Sequence, residues 1–149
     1  MRVLVLGGTT EGAALARALA GDTRFQATLS LAGATRAPRP QPLPTRIGGF
    51  GGVAGLVDYL RAERIDAVVD ATHPFAAQMT RNAAEAAAQC GLPLLRVDRP
   101  AWAPQPGDDW AEFPDMPALV AGLGRTPRRV LLTVGQKELA PFRAAPWHH

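Results

Sequence analysis

The chain holds one cysteine, Cys90, in 149 residues, so it cannot close an internal disulfide. That absence points to a reducing compartment, by default the cytoplasm. No apolar run approaches the ~20 residues that cross a bilayer. Residues 1–20 lack the charged start and small-residue cleavage site of a secretory leader. No membrane role is therefore expected. Aromatic residues make up 6% of the chain, and none interleave with a basic run, so a net charge of +3 does not imply a nucleic-acid partner. Three histidines and one cysteine show no ligand spacing, and no metal site is expected. Lysine is almost missing: Lys137 stands beside fifteen arginines. Acid is missing locally, since no Asp or Glu occurs from Thr23 to Val57.

What is present is a hydrophobic fraction of 47%, enough for a core in a chain the size of one ordinary domain. Short apolar runs alternate with Ala/Leu-rich segments of helical period. Strands are expected at Arg2–Leu6, Gln26–Leu31, Thr45–Ile47, Ala67–Asp70, Leu94–Val97 and Val130–Val134. Helices are expected over 11–20, 53–63, 76–90 and 115–123, with a last one starting at Lys137. Gly91 and Pro93 stop the third helix. Ala37–Pro44, with four prolines in eight residues, is a loop. Strand and helix in alternation give an α/β fold, a Rossmann-like doubly wound parallel sheet covered on both faces. The expected strand order is 3-2-1-4-5-6, with a ligand at the switch point between the first and fourth strands.

The first strand runs into Gly7-Gly8-Thr9-Thr10-Glu11-Gly12. Gly7 and Gly12 fit the ends of G-x-G-x-x-G, but Thr9 holds the middle position and Gly8 is displaced by one. The same glycines have the spacing of a triphosphate loop, yet Ala13 and Ala14 follow where Lys and Ser/Thr would grip a γ-phosphate. A turn aiming backbone N–H groups at an anion remains, with the Thr9 and Thr10 hydroxyls as added donors to a pyrophosphate. The bland alternative is a turn that needs glycine only for its backbone angles. An acid near the end of the second strand would hold the ribose of NAD; here Ser30, Thr35 and Arg36 follow instead, which suits the 2′-phosphate of NADPH or else a solvated basic loop.

Thr72 and His73 follow the fourth strand and face the glycine turn across the switch point. His73 can orient a carboxylate, donate a proton or lie against a nicotinamide, although an isolated histidine is more often structural. Asp70 reads as the end of its strand. The Gly48–Gly52 loop frees backbone for close approach, and Phe50 within it suits either a ligand or the core. Arg96 and Arg99 either meet carboxylates of a substrate or are plain surface arginines; Lys137 is a substrate contact or a surface charge. Trp102 and Trp110 are expected to cover a hydrophobic edge, and Cys90 to be a small packed residue.

The segments "VLVLGGTTEG", "SLAG-T", "RIGGFGG", "DATHPFA", "LLRVDRPAW" and "LLTVGQKEL" together resemble precorrin-6A reductase of corrin biosynthesis, in family order over nearly all of residues 1–142. The resemblance implies NADPH-dependent reduction of one double bond in a precorrin tetrapyrrole, precorrin-6A to precorrin-6B, in a cleft between two α/β domains. It implies cofactor contacts at Gly7, Gly8, Thr9, Thr10, Glu11, Gly12, Ser30, Thr35, Arg36, Gly49, Phe50, Gly51 and Thr72. His73 is the catalytic candidate, and Arg99 and Lys137 are the substrate candidates. Residues 1–143 are expected to form the NADPH-binding domain. Residues 144–149 then read as a truncated interdomain segment or tag remnant, with most of the family's second α/β domain lacking. A non-catalytic dinucleotide-binding module is the rival reading.

Overall fold

The structure, a computed structural model, describes residues 1–33, 40–98, 103–135 and 138–143. The chain divides into two compact units, Met1–Pro100 and Ala101–His149. In the first unit, five parallel strands lie in the order β3-β2-β1-β4-β5. They are β1 (Arg2–Leu6), β2 (Gln26–Leu31), β3 (Thr45–Ile47), β4 (Ala67–Asp70) and β5 (Leu94–Arg96). The helices between them are α1 (Thr10–Ala20), α2 (Val53–Ala62) and α3 (Ala77–Cys90). The α/β class, the parallel sheet and the order 3-2-1-4-5 are as the alternating pattern predicts.

Residues Val3 to Leu6 are all buried, and successive side chains serve opposite layers. Leu4 and Leu6 join Leu56, Val57, Leu60, Val68, Ala83 and Ala86 in the layer with α2 and α3. Val3 and Val5 join Ala16, Ala27, Leu29 and Leu43 in the layer with α1. Each fully buried Leu or Val contributes roughly 1.5–3 kcal/mol. Alanines at 83 and 86, both at 0% exposure, leave the backbone of α3 close to its neighbours. Gly91, at φ +65°, ends α3 in a left-handed cap, and Cys90 packs against the same core as expected.

The second unit carries α4 (Met116–Gly122) and α5 (Ala140–Arg143), which touch one another. Asp115 caps α4 by accepting from the Ala118 N–H at 2.8 Å, and Gly122 leaves room for the Phe113 ring. The expected sixth strand is a correction: residues 130–134 form no strand. Leu131 is 89% exposed, so the apolar run has no neighbour to supply ladder hydrogen bonds among the described residues. Trp110 is 45% exposed and covers little; Trp102 lies outside the described residues.

Gly55 of α2 sits directly under the Phe50 carbonyl, where a methyl group would overlap the oxygen. Gly55→Ala is expected to lose about 1–3 kcal/mol, because crowding at backbone outweighs alanine's better helix propensity. Urea unfolding checks this; an unchanged midpoint would show that the loop yields freely.

Candidate active site

The strand register lines up five residues across the sheet: Arg46, Ser30, Leu6, Asp70 and Arg96 are successive partners on β3, β2, β1, β4 and β5. Partners in register share a face. The apolar sheet therefore ends in a polar row at its carboxyl edge, broken only by Leu6. The glycine turn, the Gly48–Gly52 loop and the Thr72–His73 segment all leave from this row.

The glycine turn is locked by one hydroxyl. Thr9 is the N-cap of α1: its Oγ1 accepts from the Gly12 N–H at 3.0 Å and donates to the Ala71 carbonyl at 2.8 Å. The single hydroxyl proton of Thr9 is thus placed on the Ala71 carbonyl. Thr10 Oγ1 likewise donates to Glu11 Oε2, at 3.1 Å. Gly12 is buried, and a Cβ there would sit 3.3 Å from Gly7 Cα and 3.4 Å from the Ala71 Cβ and carbonyl oxygen. Gly8 has φ +120° with nothing within 4 Å of a side-chain position, so its backbone is open. Gly7 donates to the Ser30 carbonyl at 2.9 Å, tying the turn to β2. A cradle with a close third glycine and an open displaced one fits a dinucleotide pyrophosphate.

Ser30 is buried at 6% exposure, and its Oγ accepts from Arg46 Nη1 at 2.9 Å. Arg46 also donates to the Gly48 and Gly49 carbonyls at 2.8 and 3.0 Å. Its guanidinium lies 3.8 Å from the Phe50 ring centroid, and Phe50 meets Tyr59 edge-on at 5.2 Å. Phe50 thus packs against the core while staying half-buried. Gly51 and Gly52 take φ +81° and +93° and carry the chain into α2 without a side-chain cap.

His73 is exposed, and its Nδ1 accepts from the Phe75 N–H at 3.2 Å. In the neutral ring the proton is thereby assigned to Nε2. Phe75, 74% exposed, lies with its ring 4.9 Å from the imidazole. Thr72 is held by Asp70, whose Oδ1 accepts from the Thr72 N–H at 3.1 Å and from its hydroxyl at 2.7 Å. Asp70 is 1% exposed, and Oδ2 accepts from Thr80 Oγ1 at 2.7 Å and Arg96 Nη1 at 3.3 Å. Sequence reasoning missed this cluster. The spacing Asp70-x-Thr72, typical of an Asx turn, was the available signal.

Arg96, which stays exposed, donates Nη1 to Asp70 Oδ2 and to Thr80 Oγ1. It also pairs with Asp98 at 2.8 Å. That hydrogen bond holds the Asp98 carboxyl below the usual carboxylate range and lifts Arg96. Thr35, Arg36, Arg99 and Lys137 lie outside the described residues. Among the described residues no three His, Cys, Asp or Glu side chains converge on a metal-sized site, and no helix is long and apolar enough to cross a membrane. A groove of about 350 Å³ opens at the opposite sheet edge, lined by Arg2, Phe25, Gln26, Leu43 and Glu63 among others. It holds none of these groups.

Residues 2–149 match the family model described as "Precorrin-6x reductase CbiJ/CobK". The chain belongs to the precorrin-6x reductase family. Its similarity to the precorrin-6A reductase of Rhodobacter capsulatus is 57% identity over 148 residues, covering 99% of this chain and 59% of that one. A Sinorhizobium precorrin-6A reductase is 50% identical over 147 residues, with 99% and 56% covered. A solved CobK precorrin-6A reductase superposes with a TM-score of 0.95 at 56% identity, covering 100% of this chain and 59% of that one. The chain therefore spans somewhat over half the length of those relatives, and the family resemblance read from its motifs is borne out.

Two outcomes test the geometry. Thr9→Val should cost about 0.5–2 kcal/mol through the lost cap, whereas Thr9→Ser keeps the hydroxyl and most of the stability; thermal unfolding of both variants checks it. Asp98 titrates below its unfolded value, so its pairing stabilises the fold above that value and is lost as pH falls through the depressed one. Arg96→Gln should move the Asp98 midpoint upward in a carbon-13 NMR titration, and an unmoved midpoint would contradict the pairing.

Proposed function

We propose that this chain is the cofactor-binding part of an NADPH-dependent precorrin-6A reductase, which reduces one double bond of the precorrin-6A macrocycle to give precorrin-6B. The observation that carries the reading is the locked glycine turn, tied through Thr9 to Ala71 at the switch point between β1 and β4. Ligands of open α/β sheets bind in that crevice.

In this reading Gly7–Gly12 hold the pyrophosphate through backbone and the N-terminal field of α1. Ser30, Thr35 and Arg36 are proposed for the 2′-phosphate, the acid that would repel it being missing from Thr23 to Val57. The Gly49–Gly51 backbone and Thr72 border the nicotinamide. A bound reduced nicotinamide supplies the hydride. His73, whose Nδ1 is engaged by the Phe75 amide, would offer its Nε2 side to the bound rings. Arg99 and Lys137 meet the carboxylates of the tetrapyrrole. The protein's main work would be to position the two ring systems and exclude water. Residues 1–143 are proposed as the cofactor-binding domain, in a cytoplasmic enzyme.

Calorimetric titration with NADPH and then NADH tests the reading. NADPH should bind at least about tenfold more tightly, a gap of ~1.4 kcal/mol. Arg36→Ala should remove most of that gap while leaving NADH nearly unaffected. Equal affinities in the unmodified chain would overturn the 2′-phosphate assignment.

A further inference from the structure

A buried carboxylate is costly unless each oxygen is satisfied, and well-packed apolar residues often stabilise such a position equally well. Stability alone therefore does not account for Asp70. Its partners come from three places: Thr72 on the loop after β4, Thr80 in the first turn of α3, and Arg96 on β5. Arg96 Nη1 also donates to Thr80 Oγ1 at 2.6 Å, so the three donors are fixed relative to one another. On the other flank, Thr9 grips the Ala71 carbonyl at 2.8 Å. Ala71 and Thr72 are consequently held from both sides, by the glycine turn and by the carboxylate. His73 comes next, and its imidazole is joined to the same loop at Phe75.

We infer that Asp70 is a positioning residue for the reductase site: its carboxylate, braced by Thr80 and Arg96, presets the Thr72–His73 segment beside the glycine turn before any ligand arrives. The role rests on the nicotinamide reading above. Asp70 itself touches no ligand, because both oxygens face protein donors and the residue is 1% exposed. Preorganisation of this kind lowers the ordering cost of binding and is felt as affinity rather than as fold stability.

The test uses two variants of the 149-residue chain. Asp70→Asn keeps the volume but turns an acceptor toward donors into a donor; Thr80→Val keeps the shape and removes one brace without approaching the ligand. Three quantities are measured: urea unfolding, amide hydrogen exchange by NMR, and NADPH affinity. The expected result is cooperative unfolding for both. Exchange at the Thr72 and Phe75 amides should be about tenfold faster than any change at Leu4 and Val5, and NADPH affinity about tenfold weaker in Asp70→Asn. Thr80→Val should show the same pattern at about threefold, which keeps the test decisive if Asp70→Asn fails to fold. Exchange that rises equally at Thr72 and Leu4 would make Asp70 a purely structural residue and overturn the role. NADPH affinity unchanged in both variants would overturn it alone, and an unmodified chain that binds no NADPH would overturn the nicotinamide reading and the role with it.

Discussion

Four consecutive side chains, Val3 to Leu6, must leave water on both faces of one strand at once. An amphipathic layer on a single side cannot satisfy them. Helices must therefore cover the sheet from above and below, and the chain must cross from one side of β1 to the other between β3 and β4. That crossing opens the crevice at the carboxyl edge. The glycine turn lies there because it follows the strand most in need of two-sided cover.

At that edge the physics changes from apolar packing to hydrogen-bond accounting. The row from Arg46 to Arg96 is polar except at Leu6, and each guanidinium serves the fold first. Arg46 secures two carbonyls of the glycine loop and covers Phe50; Arg96 neutralises a carboxylate beneath the next loop. Lysine, a point charge without a planar fork, would perform neither task as well. An arginine-rich composition is thus spent partly on shaping backbone.

Much of the fold was legible because periodicity and punctuation agree locally. β1, β2, β3 and β4 fall on the residues their apolar runs mark, and Gly91 stops α3 where a left-handed cap is needed. The run at 130–134 failed as a strand because apolar pattern does not specify a partner. At the site, the glycine turn was visible from spacing. The Asp70 cluster was not, since Thr80 and Arg96 lie ten and 26 residues away and only the sheet and α3 bring them together. The hold of Thr9 on Ala71 was not visible either, because a hydroxyl's partner 62 residues away cannot be read from its neighbours in sequence.

The hydrogen bond from the Phe75 amide to His73 Nδ1 carries a further consequence. With Nδ1 engaged by the Phe75 amide, the imidazole cannot rotate without breaking that bond, so one turn of three residues sets both the direction of His73 and the place of the exposed ring beside it.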